Sequence, residues 1–198
     1  IDCIDQSDDQ YIHSEKLHVF IRDIFTRNKL DIKDLSAVGV TRGPGSYTGL
    51  RIGVSAAKGL CFPLDIPLIS ISSLQVLQLG ATCEASFIVP VLDARRMEVF
   101  SAVYNSDGLL VRDIEAEIID EQSFETYRQK GKVCVVGDCT AKIKAVLPEI
   151  SAVETFPSAR WMGSEINRLF LEKKFEDLAY FEPFYLKDFV AIKPKKVL

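Results

Sequence analysis

Histidine is nearly missing from this chain: His13 and His18 are the only two among 198 residues, and no HExxH occurs. That excludes a zincin-type metallopeptidase, which needs two histidines one helical turn apart. Five positions apart, the two imidazoles sit about 140° apart around a helix at about 100° per residue, so they do not share an ion. Each reads as an ordinary surface or helix-start residue. No apolar run reaches the ~20 residues of a membrane-spanning helix, and no signal peptide is visible. The five cysteines (Cys3, Cys61, Cys83, Cys134, Cys139) are odd in number and scattered, with no CxxC pair. This argues against a disulfide framework or a zinc knuckle and makes a reducing cytoplasm the expected home. Positive charge is not in excess either: 24 Lys and Arg stand against 28 Asp and Glu, for a net charge of −4. Unaided binding to a polyanion is therefore disfavoured, and nucleic acid would be met through a local patch or a partner. The chain as given lacks an initiating methionine, and its acidic first ten residues read as a remnant of a longer strand region.

What the chain does have is 47% hydrophobic residues, enough for one large domain or two small ones, and one dense glycine run. From Thr41 to Ser55 it reads TRGPGSYTGLRIGVS, holding four of the eleven glycines. Gly43-Pro44-Gly45 is a tight turn, because glycine reaches φ values closed to other residues and proline pre-sets φ. A helix follows, and the free N–H groups of its first turn attract anions. Gly43, Gly45, Ser46 and Thr48 are thus candidate phosphate contacts. Known glycine motifs fit poorly: Lys58 lies too far along for a P-loop lysine, and a dinucleotide fingerprint needs glycine where Thr48 stands. Gly45, Gly49, Gly53 and Ala57 recur every four residues, which sets small side chains in a row where another backbone can approach. Phosphate cradle and packing face both remain open at this point.

Helices alternate with short apolar strands, so the fold class is α/β. Ser14 caps a helix whose Leu17, Phe20, Ile21, Ile24 and Phe25 follow the i, i+3, i+4, i+7, i+8 rule, with Lys16, Arg22, Asp23 and Arg27 opposite. A short buried strand is expected over Ala37–Val40, a helix over Tyr47–Cys61 closed by Pro63, a strand over Pro67–Ile71 and a helix from Ser72-Ser73 to Leu79. Beyond a hinge at Gly80–Ser86, strands are expected over Phe87–Leu92, Glu98–Tyr104, Leu109–Ile119 and Lys132–Val136. Helices are expected over Gln122–Gln129, Gly137–Leu147 and Ser158–Lys173. This divides the chain into subdomains 1–86 and 87–180 and a tail, 181–198. Cys61 reads as a core thiol. Asp93 with Arg95 and Arg96 reads as a salt-bridged turn, or as a cleft lining. Lys187, Lys193, Lys195 and Lys196 make a basic tail, either solubilising or in weak contact with tRNA.

Three segments together, GPGSYTGLRIGVSAAKGL (Gly43–Leu60), HSEKL (His13–Leu17) and LDARRMEVFSAVY (Leu92–Tyr104), resemble the TsaB/YeaZ family, as does the ending Tyr185-Leu-Lys-Asp-Phe189. The match runs from about residue 12 onward. The resemblance implies the actin/Hsp70/sugar-kinase-like (ASKHA) fold, two α/β halves around a cleft, with a first β-hairpin that is cut short before His13. It implies a non-catalytic scaffold or activator of the enzyme that makes threonylcarbamoyladenosine next to the anticodon of tRNA, acting by binding TsaD. The family's helices pair with their counterparts in TsaD. On this chain they would do so through Leu17, Phe20, Ile21, Ile24 and Phe25 on one helix and Gly45, Gly49, Gly53 and Ala57 on the other. A TsaE-like ATPase is a further implied partner, a homodimer through the same surface an alternative, and tRNA is touched only indirectly or weakly. TsaD's metal-binding HxxxH, laid on Pro67–Leu77, falls on Ser73 and Leu77. Leucine cannot ligate a metal and serine alone is a poor ligand. No catalytic or metal residue is therefore expected, and no cofactor is required by the chain itself, with ATP at a partner interface. The rival reading is a stand-alone ATP-hydrolysing enzyme of the same superfold using the Gly43–Thr48 turn; a peptidase is a distant third.

Overall fold

The computed structural model describes residues 2–6 and 13–186. Helix α1 (His13–Asn28) leads through a short 3-10 turn at Ile32–Asp34 into strand β1 (Val38–Gly43). β1 pairs in parallel with β2 (Leu68–Ser72), joined through α2 (Tyr47–Leu64). This small sheet is followed by α3 (Ser73–Leu79) and a five-stranded sheet of order β5-β4-β3-β6-β7. Its strands are β3 (Phe87–Asp93), β4 (Glu98–Asn105), β5 (Leu110–Ile118), β6 (Val133–Gly137) and β7 (Ser151–Glu154). β3, β4 and β5 form an antiparallel meander, and β6 and β7 run parallel to β3. A single turn α4 (Glu125–Arg128), α5 (Thr140–Val146) and α6 (Ala159–Leu171) complete the set.

The local chemistry of these elements is plain. Ser46, Ser72 and Ser158 each accept a backbone N–H with their hydroxyls at the starts of α2, α3 and α6, which satisfies donors no helical carbonyl can reach. The five-stranded sheet has a core on each face. Val89, Val91, Val99, Val103, Val135 and Ile143 pack on the α5 side, and Leu92, Phe100, Ala102 and Val136 pack under Leu74 and Leu77 of α3. α3 also turns Val76 toward Ile71 of β2 and Met162 of α6, so one short helix joins both sheets.

Four expectations change. β1 is longer than Ala37–Val40 and is only half covered, because β2 is its sole strand partner among the described residues. α2 continues through Pro63: proline gives up a single N–H there, and the helix ends two residues later on Asp65, in the left-handed region at φ 52°. β7 is unanticipated, being short and without alternation. The Gly80–Ser86 segment is tied down rather than hinge-like. A side chain at Gly80 would strike the Trp161 ring at 2.6 Å, and Cys83 is disulfide-bonded to Cys134 of β6, a pairing that the scattered cysteines did not suggest. α6 lies far along the sequence but folds back over the first sheet, Ile166 filling the space above Gly39.

Candidate functional site

The apolar stripe of α1 lies along α2 without being enclosed. Leu17, Phe20, Ile21, Ile24 and Phe25 are all half-buried. Ile21 and Phe25, with Leu30 and Ile32 beyond the helix and Leu60 of α2, line an open groove of about 410 Å³. Leu30 is 54% exposed, Ile32 40% and Phe62, near the end of α2, 81%. These side chains leave apolar surface that no described residue covers. His18 is exposed at the rim of the groove.

The small-residue row does not stay on that face. Gly45 is exposed with open space around it, Gly49 is half-buried beside its own Ser46, and a Cβ on Gly53 would come 3.9 Å from Val40 of β1. Ala57 is 5% exposed, packed with Cys61 and Leu68. The reason is geometric. Gly45 lies ahead of the N-cap Ser46 and off α2; from Gly49 on, four residues advance the helix by about 400°, so the row drifts about 40° at each step and winds into the core. Ala57 is thus a core residue and not an outward contact.

The glycine turn is closed by the chain itself. Gly43 and Pro44 are buried and joined by a cis peptide bond. Gly43 has φ 113°, and a Cβ there would lie 2.9 Å from the Phe184 carbonyl oxygen. The Phe184 N–H donates to the Arg42 carbonyl at 2.7 Å. The Ser46 hydroxyl accepts from Gly49 N–H at 3.3 Å, so of the four candidate phosphate contacts Gly45, Ser46 and Thr48 are exposed and one is already a cap. Beside the turn stands a group the sequence reading missed: Arg51 lies 4.2 Å over the Tyr47 ring and donates to the Tyr185 hydroxyl at 3.1 Å. The i, i+4 spacing of Tyr47 and Arg51 was the available signal. Lys58 donates to the carbonyls of Ala179 and Phe181, so it straps the C-terminal segment rather than reaching a phosphate.

The remaining candidates are tied into the fold. Asp93 accepts from Lys142 Nζ and from the Arg95 N–H, each at 2.6 Å. Burial would raise its pKa, but these donors hold it below the ordinary value. Arg95 and Arg96 sit in the left-handed turn that follows, at φ 73° and 53°. Burial pushes the Cys61 thiol up. Burial and the neighbouring Asp138 carboxylate push Cys139 up to about 12, and a protonated thiol is a poor nucleophile at neutral pH. Ser73 and Leu77 are both buried in α3. Among the described residues no group of three or more His, Cys, Asp and Glu is arranged to hold a metal, and no helix is long and apolar enough to cross a membrane. Lys187, Lys193, Lys195 and Lys196 lie outside the described residues.

The family model described as TsaD, tRNA N6-adenosine threonylcarbamoyltransferase, matches residues 10–193. The tRNA threonylcarbamoyladenosine biosynthesis protein TsaB of Bacillus subtilis (strain 168) is 30% identical over 182 residues, 88% of this chain and 80% of that protein. Its namesake from Escherichia coli (strain K12) is 30% identical over 194 residues, 91% of this chain and 83% of that one. Among solved structures, an uncharacterized Pseudomonas aeruginosa protein with similarity to peptidase YEAZ superposes with a TM-score of 0.76 at 21% identity, covering 89% of this chain and 85% of that chain.

Proposed function

The chain belongs to the TsaB/YeaZ family and has its ASKHA-type fold, and we propose that it is the non-catalytic subunit that binds and activates a TsaD-like enzyme in making threonylcarbamoyladenosine on tRNA. The observation that carries this reading is the half-buried stripe Leu17, Phe20, Ile21, Ile24 and Phe25 and its open groove against Leu60. Each such side chain gains roughly 1.5–3 kcal/mol on going from exposed to buried, and a partner's helices would supply that burial. Gly45 and Gly49 would let a second backbone come close at the start of α2, while Gly53 faces β1 and Ala57 supports the helix from inside. The positions that correspond to TsaD's histidines are Ser73 and Leu77, enclosed in the core, and this supports a scaffold rather than a catalyst.

In this reading the chain works in the cytoplasm, needs no cofactor of its own, and meets ATP only at an interface with TsaD or a TsaE-like ATPase. A homodimer through the same stripe forms when TsaD is absent. Titrating the chain into a purified TsaD-like enzyme by calorimetry tests the assignment. Phe25→Asp is expected to weaken association by at least about tenfold, equivalent to ~1.4 kcal/mol, with a melting temperature lowered by several degrees but a cooperative transition kept. Equal affinity of a folded variant, or no association by the parent, would sink it.

A further inference from the structure

A second open feature lies away from the α1 groove. A cleft of about 640 Å³ runs between β5 of the five-stranded sheet and segment 176–185, which crosses the first sheet. Asp113, Glu176, Asp177 and Glu182 line it, against a single cation, Arg42. None of the four carboxylates is in an ion pair among the described residues. Their hydrogen bonds come from neutral donors: the Ser70 hydroxyl to Glu176, the Ala179 and Tyr180 N–H groups to Asp177, and the Ile114 N–H to Asp113. Such donors orient a carboxylate without cancelling its charge. The other walls are aromatic, with Tyr180 84% exposed, Phe184 41% and Tyr185 37%.

Carboxylates between exposed ring faces suit a cationic side chain, which pairs with the former and is drawn to the latter. A nucleotide or tRNA phosphate would instead add negative charge to a wall whose four carboxylates outnumber Arg42 and the neighbouring Arg51. The chain itself carries a complementary segment. Residues 187–198 hold Lys187, Lys193, Lys195 and Lys196 against one acid, Asp188, and the segment starts two residues after Tyr185 on the cleft rim. Lys193 can reach up to about 28 Å from Tyr185 at about 3.5 Å per residue, so span does not limit it. So short a tether gives an effective concentration on the order of millimolar. We propose that this acidic, aromatic cleft is the docking site for the lysine-bearing segment 187–198 of its own chain. The inference is independent of the subunit role, since no partner enters it.

The test is zero-length carbodiimide cross-linking of the full chain, which joins a lysine amine only to a carboxylate in direct contact, with the links located by mass spectrometry. Mixing ¹⁵N-labelled and unlabelled chains separates links within a chain from links between copies. Same-label links from the tail lysines to Asp113, Glu176, Asp177 or Glu182 are expected. Their yield should fall at least about fivefold as salt rises from about 0.01 M to about 1 M and the Debye length shrinks from about 30 Å to about 3 Å. The pair D113N and E182Q, both surface changes, should keep the parent's melting temperature and lower the links to Glu176 and Asp177 as well. Mixed-label links at the cleft, tail links only elsewhere, undiminished links in the double variant, or suppression by equimolar tRNA would each overturn the proposal.

Discussion

In the five-stranded sheet Val89, Val91, Val99, Val103, Val135 and Val136 have no more than a trace of exposed surface, whereas in the two-stranded sheet Gly43 is the single buried residue of β1. The difference follows from layering. β3, β4 and β6 are inner strands covered on both faces, by α5 and the α4 turn on one and by α3 on the other. β1 has one strand partner among the described residues, and above its neighbour α2 lies an α1 stripe that is half open. The inner strands β3, β4 and β6 are finished as a core, whereas the α1 stripe keeps apolar surface in reserve. Packing is therefore densest in β2, α3 and the inner strands, and the proposed contact with another molecule falls on residues 13–64.

The sharpest way to break this contrast is Gly137→Ala. A Cβ there would sit 1.9 Å from the Val91 carbonyl oxygen of the adjacent strand, so β3 and β6 cannot keep their pairing. A loss above about 4 kcal/mol, or failure to fold, is expected in denaturant titration. A mild loss would mean that the inner strands are less rigid than their packing implies. Next in size is a matched pair of truncations. Leu77→Ala, at a residue 1% exposed, should cost about 2–5 kcal/mol, transfer and cavity together. Phe25→Ala, at a half-buried residue, should cost under about half of that while weakening association with the TsaD-like enzyme. Equal stability losses for the two would erase the distinction between core and reserve.

Much of the finished region was legible because its signals are local. Short apolar runs marked β3 and β6, alternation marked β4, Asn105-Ser-Asp-Gly108 marked the hairpin, and Ser72 and Ser158 marked helix starts. What was not legible depends on contacts remote in sequence. Nothing near Cys83 points to Cys134, 51 residues on, and nothing in α6 says that it returns to cover Gly39. The helix expected over Gln122–Gln129 shrank to Glu125–Arg128 because Phe124 turns into the core at φ 61°. The glycine row misled in an instructive way. Spacing of four looks like one face over two steps, but its drift of about 40° per step delivers Ala57 to the core. The α1 stripe shows the complementary limit: periodicity finds an apolar face and does not say what covers it.

Alkaline titration of Tyr104 gives a smaller effect within the five-stranded sheet. Burial, with Asp113 nearby, pushes the Tyr104 hydroxyl from 10.0 up to about 12. The folded state therefore keeps its proton where the unfolded state has released it. The Tyr104 contribution is nil below pH ~10, turns unfavourable as pH rises through the window from ~10 to ~12, and amounts to a loss on the order of 2–3 kcal/mol across it. Tyr104→Phe should flatten that part of the pH–stability curve. An unchanged slope would mean that the ring is wetter than its 5% exposure indicates.

The smallest effect, and the one of opposite sign, belongs to the reserve region. Gly59 is exposed within α2 and a Cβ there meets nothing within 4 Å. Gly59→Ala removes backbone freedom from the unfolded chain without any clash, so it should stabilise the isolated protein by about 0.5–1 kcal/mol. The same methyl becomes a probe once the TsaD-like enzyme is added. Higher stability with lower affinity would put Gly59 under the partner, against α2 itself. Higher stability with unchanged affinity would confine the contact to the α1 side of the groove. Only in a region whose packing is left to another molecule can one methyl group help the free protein and hinder the bound one.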